Sequence, residues 1–348
     1  RMNLKFEGQT FEEHFLIVDV EMGESPFETE EAERWFWFEP SFHSGQSALL
    51  HKQPDNIYRI DLQLGPNTDP KEEATEEKVL LRIKAIVGDK QFKIDWMSVY
   101  KFSCAKLDKF VHNRVVFVGD SSHVVSPFGA RGGNGGIQDV DNLGWKLANI
   151  LTGQSSEELL QTYHEERSYG ALENIMNSSR ATNFMTPKSS IEQQFRNGVL
   201  SLAKSMPFAR KLINSGRLSV PCSLEEASLQ TKGDGPINSG HAMPDAPLQN
   251  GCWLLNKVQG EFTLLGFGDV QLPEISGVRR VGIGHVSSAY PCFEPADQTA
   301  FSRYGEGTIY LIRPDGHVAA SFANSNSAEI LKAYKTASMS KDMEMENV

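Results

Sequence analysis

No stretch of this 348-residue chain approaches the roughly 20 consecutive apolar residues that a membrane-crossing helix needs. No basic segment leads into an apolar core at the start either, so no secretory leader is visible. Cysteine is scarce: Cys104, Cys222, Cys252 and Cys292 are widely scattered, with neither a C-x-x-C pair nor a zinc spacing. That excludes a disulfide-built scaffold and a zinc module, and a reduced, cytoplasmic setting is expected. Basic residues are outnumbered, 34 Lys and Arg against 45 Asp and Glu. The resulting net charge of -11 argues against a general nucleic-acid surface. The G-x-G-x-x-G fingerprint of a dinucleotide-binding turn is missing, since neither Gly129-Ala-Arg-Gly132 nor Gly266-Phe-Gly268 completes one. His112 and His123 have no further ligands at useful spacing, so no metal site is expected.

What remains has the composition of an ordinary globular protein, 39% hydrophobic and 23% charged. The first hundred residues read as antiparallel sheet. In Ile57 to Leu64, the residues Tyr58, Ile60, Leu62 and Leu64 alternate with Arg59, Asp61 and Gln63, as a strand with one buried face requires. Phe15 to Val20, Trp35 to Phe38 and Lys93 to Ser103 are further strands. Trp96 and Tyr100 lie at even spacing on the last of these, either lining a pocket or packed in the core. The charge-rich run Asp69 to Lys78 opens a solvated helix that continues to Ile86. Ser155-Ser156-Glu157-Glu158 fits a capping box and predicts a helix to about Asn177, with more helix from Ile191 to Ser215. Residues 219–247, rich in Gly, Ser and Pro, read as a linker. Short strands follow near Gly251–Leu255, Phe262–Phe267, Arg279–Gly284 and Thr308–Ile312, then a turn at Arg313-Pro314-Asp315-Gly316 and a closing helix from Ala328 to Ser338. The expected organisation is a sheet over 1–105, a helical part over 106–218, the linker, a small α/β domain over 248–338 and a tail over 339–348.

The centre of the chain carries the chemistry. Arg114 to Val118 is a short β-branched strand that ends at Gly119-Asp120. A glycine-rich loop runs from Ser121 to Gly136 and then gives way to a helix. In that helix Ile137, Val140, Leu143, Leu147, Ile150 and Leu151 form one stripe, with Asp139, Asn142, Lys146 and Asn149 off it. Such sheets bind ligands just beyond the carboxyl ends of their strands. A carboxylate there, Asp120, suits a hydroxyl-rich partner such as a ribose or ribityl chain. Backbone N–H groups at the glycine-rich helix start favour an electron-rich or anionic ligand edge.

These residues also carry a resemblance. Val116-Phe-Val-Gly119-Asp120-Ser-Ser-His123, with Ser126-Pro127 and the run from Gly129 to Ala148, resembles the second flavin motif of class A flavin-dependent aromatic monooxygenases. That is the para-hydroxybenzoate hydroxylase and phenol hydroxylase superfamily. Tyr163-His-Glu-Glu166-Arg167 is similar to its Y-x-x-E-R helix. Gly45 to Ser47, His51 to Asn56, Tyr58 to Asp61 and Phe184 to Ser189 are similar to the 3-(3-hydroxyphenyl)propionate hydroxylase branch.

The resemblance implies an α/β (α+β) fold. It combines part of an FAD-binding Rossmann-like domain with an antiparallel substrate sheet and a C-terminal thioredoxin-like domain. Without C-x-x-C, that last domain is not expected to exchange disulfides. The resemblance further implies FAD as cofactor, NAD(P)H as co-substrate, and O2 with a small phenolic substrate as reactants. A homodimer is compatible with it. By position, Gly119 and Asp120 would hold the flavin ribityl chain, while Gly132, Gly133 and Asn134 would present backbone groups to its pyrimidine edge. Pro127 would lie beside the reactive face, and Arg131 would meet either the reduced flavin or a substrate carboxylate. Because the chain starts at Arg1 in strand-like material and lacks G-x-G-x-x-G, an N-terminal segment is expected to be missing, leaving it inactive alone.

Two readings of other classes compete. One is a non-catalytic interaction or dimerisation module built on the C-terminal domain. The other is a GDS-type serine hydrolase, since Gly119-Asp120-Ser121 spells the start of that motif. The hydrolase reading needs a base held against Ser121 and an oxyanion hole.

Overall fold

Alternating apolar and polar residues carry the first hundred positions into long strands, and the 3.6-residue period takes over after the central glycines. The computed structural model describes residues 2–29, 31, 33–65, 68–127, 131–213, 221–258, 260–323 and 326–340. In chain order the strands are β1 (Phe6–Met22), β2 (Arg34–Phe38), β3 (Ser47–Lys52), β4 (Ile57–Leu64), β5 (Phe92–Leu107), β6 (Val111–His112), β7 (Val115–Val116), β8 (His123–Val124), β9 (Thr263–Phe267), β10 (Arg279–Ile283), β11 (Cys292–Phe293), β12 (Ile309–Ile312) and β13 (Val318–Phe322). The helices are α1 (Pro70–Glu73), α2 (Glu76–Val87), α3 (Gly132–Leu151), α4 (Leu159–Met185), α5 (Ser190–Ala203), α6 (Pro207–Ile213), α7 (Thr299–Tyr304) and α8 (Ser327–Ser338). The fold is mixed α/β with an antiparallel sheet, as expected.

The chain divides into two units, and each is interleaved in sequence. The first comprises residues 1–107, 123–132 and 174–218, the second 108–122, 133–173 and 219–348. In the first unit, β2-β3-β4-β1-β5-β8 form one antiparallel sheet. The even-numbered residues of β1 and β4 (Leu16, Val18, Val20, Ile60, Leu62) are buried together with Val79, Ile83 and Val87 of α2. Period two on the strands thus meets period 3.6 on the helix, and one face of the sheet is closed. At roughly 1.5–3 kcal/mol per fully buried aliphatic side chain, this cluster is the main stabilising feature of the unit.

In the second unit a five-stranded sheet has the order β11-β10-β9-β12-β13. Its β9, β10 and β11 run parallel, while β12 is antiparallel to both β9 and β13. One cluster joins its strands to Ile330, Ala333 and Tyr334 of α8 and also to Trp145 of α3 and Leu159 of α4.

Several expectations differ from the structure. The strand expected over Arg114–Val118 pairs only at Val115–Val116. Gly251–Leu255 is not a strand but lies between two short 3-10 turns, Gln249–Gly251 and Leu255–Lys257. The capping box at Ser155 does not form, because its hydroxyl donates to the Ser338 carbonyl at 2.6 Å and the helix starts later, at Leu159. The described part of the expected linker, 221–247, packs into the second unit instead. Leu224, Leu229, Met243 and Ala246 are buried, and Gly240 N donates to Val318 O at 2.7 Å. Its glycines and serines serve close packing there: a Cβ on Gly233 would lie 2.3 Å from the Ser321 carbonyl oxygen. Gly129, the first two residues of that expected linker and most of the expected tail lie outside the described residues.

Candidate functional site

The turn after β7 is built to hold one shape. Gly119 has φ +58°, the left-handed region where side chains are strained, while a Cβ there would still lie 3.8 Å from Gly136 Cα. The torsion, rather than lack of space, calls for glycine. Gly119 N donates to Asp139 Oδ2 at 2.9 Å, and Arg167 Nε donates to the other carboxylate oxygen at 2.7 Å. Tyr163 OH donates to Phe117 O at 2.8 Å, pinning the strand just before the turn. Burial alone would lower the Arg167 pKa, but Asp139 outweighs it and raises it. The Y-x-x-E-R helix is therefore a clamp: its Tyr and Arg grip the Gly-Asp turn from behind.

Its Glu166 grips α3. Glu166 Oε2 accepts from Asn142 Nδ2 and Lys146 Nζ, both at 2.7 Å, and from Arg313 Nη2 at 2.9 Å. Arg313 Nη1 reaches Oε1 at 2.5 Å, and Arg313 Nη2 reaches Asp315 Oδ2 at 2.5 Å. Trp145 Nε1 donates to Asp315 as well, at 3.0 Å. The side chains of Lys146, Glu166 and Arg313 are fully buried, and that of Asp315 is nearly so. Burial would raise the Glu166 pKa, but Arg313 and Lys146 hold it far below the usual carboxylate range. Burial pushes Lys146 down to about 8.

This network corrects the expected face of α3. Asp139, Asn142 and Lys146, placed off the buried stripe by sequence, are buried, while Ile137, Val140 and Leu151 are exposed by 69%, 60% and 83%. The moment direction misled because charges that find partners can be buried as a set. Arg313 and Asp315, read from sequence only as a turn, are the partners in question. No local pattern linked them to a helix some 170 positions earlier, as the 170-residue separation of Trp145 and Asp315 shows.

The expected cofactor residues fall as follows. Asp120 is exposed at the clamped turn. Gly133 and Asn134 are exposed in the first turn of α3, where a Cβ on Gly133 would meet nothing within 4 Å. The first-turn N–H groups of a helix lack intrahelical acceptors. An exposed carboxylate and an open, glycine-lined helix start thus stand in one unit, and they fit a ligand with hydroxyls and an electron-rich edge. Pro127 is exposed and belongs to the first unit with Arg131 and Gly132. Arg131 is only 6% exposed and donates from Nη1 to Asn174 Oδ1 at 2.8 Å. Ser126 is tied to Thr182 of α4 at 2.6 Å. Ser121 Oγ donates to Val118 O at 2.7 Å and accepts from Val118 N at 3.0 Å. Its hydroxyl caps its own turn rather than facing a base, which counts against the hydrolase reading. Among the described residues no group of three or more His, Cys, Asp or Glu could hold a metal, and no helix is long and apolar enough to cross a membrane.

A second feature escaped the sequence reading. The strand register places Asp19, Arg59, Asp61, His51 and Arg34 on the sheet face opposite the α2 core, with Trp96 and Tyr100 on the same face of β5. Trp96 and Tyr100 are 39% and 42% exposed, their rings 6.0 Å apart, so core packing is not their role. Arg59 chelates Asp19 through Nε and Nη2 at 2.8 and 2.7 Å. The alternation of Arg59 and Asp61 in β4 was visible in sequence. Their neighbours from four other strands were not.

Comparison with known proteins shows the family. Residues 1–178 match the FAD binding domain family. A flavin-dependent monooxygenase of Mycobacteroides abscessus is 29% identical over 258 residues, covering 70% of this chain and 47% of that protein. A 3-(3-hydroxy-phenyl)propionate/3-hydroxycinnamic acid hydroxylase of Klebsiella pneumoniae is 25% identical over 274 residues, covering 77% of this chain and 48% of that one. The chain therefore spans about half the length of the curated relatives it matches. Among solved structures, the flavin-dependent monooxygenase PieE with FAD and substrate superposes with a TM-score of 0.70 at 19% identity, covering 97% of this chain and 66% of PieE. RebC with reduced flavin gives 0.69 at 20%, covering 97% of this chain and 65% of RebC. At that identity the likeness is one of fold. With more than half of its residues inside the match, the chain belongs to the FAD binding domain family.

Proposed function

We propose that this chain supplies the ring-side half of an FAD site and the substrate sheet of an aromatic hydroxylase. The reaction would use NAD(P)H and O2 to hydroxylate a phenolic acid. The observation that carries the reading is the Gly119-Asp120 turn, clamped by Asp139, Arg167 and Tyr163 so that an exposed carboxylate stands beside an open helix start. The monooxygenase and hydroxylase relatives support it.

Bound flavin supplies the redox chemistry and oxygen activation. The protein's part is to bind, orient and exclude water. Asp120 would accept hydrogen bonds from ribityl hydroxyls. Gly132, Gly133 and Asn134, at the positive end of α3, would face the pyrimidine edge, where charge collects on reduction. Pro127 would border the reacting ring. Arg131, which donates to Asn174, would meet either the reduced flavin or a substrate carboxylate. The sheet face carrying Trp96 and Tyr100 would cover the substrate. The C-terminal mixed sheet fits a thioredoxin-like domain and, through Arg313 and Asp315, buttresses α3.

Asp120→Ala should weaken flavin mononucleotide binding by about tenfold, the loss of one hydrogen bond to a charged group. Fluorescence titration of both proteins measures this, and equal affinities would sink the assignment of Asp120.

A further inference from the structure

We propose that Asp61 is the substrate-binding carboxylate that selects hydroxylated rings by accepting the hydrogen bond of the ring O–H. The inference rests on the aromatic hydroxylase reading and deepens it by naming a specificity residue.

Asp61 lies on β4 between Ile17 of β1 and Leu49 of β3, on the sheet face turned away from the α2 core. The titratable and charged groups near Asp61 on that face are Asp19 of β1, Arg34 of β2, His51 of β3, Arg59 of β4 and Tyr100 of β5, with Glu21 of β1 and Lys93 of β5 opposite each other further along it. None of them donates a hydrogen bond to Asp61 Oδ1. Arg59 is held in a two-point ion pair by Asp19. Arg34 is exposed to water. Burial and the two arginines lower the His51 pKa, so His51 is neutral near pH 7 and does not pair with Asp61 as a cation. Asp61 Oδ1 is buried and has no hydrogen-bond partner among the described residues, and the same is true of His51 Nδ1.

A buried carboxylate oxygen with no donor is costly unless something supplies one. The surroundings say what kind of donor. Phe15 of β1 stacks on Phe102 of β5 at 4.8 Å, and Trp96 and Tyr100 stand on the same face. An aromatic ring carrying an O–H meets both demands: its plane suits the ring-rich wall and its hydroxyl suits Oδ1. Burial raises the Asp61 pKa to about 6, with Asp19 adding to the rise while Arg59 and Arg34 oppose it. The carboxylate is therefore ionised at pH 7 and loses its charge, and with it the strong acceptor, as the pH falls through 6.

The test uses phenol and anisole, which differ in the O–H alone, with quenching of tryptophan fluorescence as the readout. The wild-type chain should bind phenol about tenfold tighter than anisole at pH 7.5, as expected for one hydrogen bond to a charged group. That preference should shrink several-fold by pH 5, while anisole binding stays flat. Asp61→Asn, which keeps the shape, should lose most of the preference and all of its dependence on pH. The wild-type pH profile stands as a test even where the variant fails to fold. A pH-independent preference in the wild type, or an unchanged profile in Asp61→Asn, overturns the role of Asp61 and leaves the hydroxylase reading intact, because the ring still binds. Failure of the wild type to bind either compound overturns the hydroxylase reading, and the inference falls with it.

Discussion

Glu166 shows how a single residue can hold two parts of a fold together. It is fully buried, yet Asn142, Lys146 and Arg313 satisfy both of its oxygens. Replacing all members of such a set with apolar groups can be neutral, but removing one leaves charges stranded. Glu166→Gln leaves Lys146 and Arg313 with Asp315 alone, and should cost roughly 3–5 kcal/mol at pH 7 by urea denaturation. The pH dependence follows from the depressed folded pKa. Glu166 stabilises the fold above its ordinary value of 4.5 and loses that contribution as the pH falls below it. The gap between wild type and Glu166→Gln should therefore narrow in acid. A constant gap from pH 7 to pH 3 would show that packing, not charge, is what the substitution removed.

Helix α3 displays at the scale of an element what periodicity can and cannot tell. The apolar residues at spacings of three and four correctly predicted a helix ending near Leu151. They did not identify the buried side, because Asp139, Asn142 and Lys146 are fixed by partners on α4 and on the turn after β12. Leu143, 8% exposed, sits at the edge of both patterns. Leu143→Ala should cost about 2–5 kcal/mol as a buried truncation. Ile137→Ser and Val140→Ser should each stay within about 0.5 kcal/mol, as exposed changes do. Chemical denaturation of the three variants decides, and a large loss at Ile137 would mean that this face is covered in solution. The strands behave differently. Alternation predicted β4 with both ends correct, since a strand with one buried face shows its register in its own sequence.

For the whole molecule, the ring side and the nucleotide side of the proposed site separate. These 348 residues contain the clamped turn and the open helix start but no G-x-G-x-x-G. A chain of these residues should bind FAD no more tightly than flavin mononucleotide, because the G-x-G-x-x-G turn that cradles a pyrophosphate is not among them. Calorimetry with both ligands tests this, and tight, stoichiometric FAD binding would defeat it. The sequence alone determined the strand, turn and helix around Gly119-Asp120, the antiparallel character of the first sheet and the family to which they belong. Those features are local, carried by torsional demands, side-chain alternation and a contiguous motif. Only the tertiary structure decided that 221–247 is packed, that α3 buries its charges and that Asp61 Oδ1 is buried without a hydrogen-bond donor on the sheet face that also carries Trp96 and Tyr100. Each of those outcomes depends on groups far apart in the chain, brought together by packing and paired by charge, and no local pattern encodes which partner a buried charge will find.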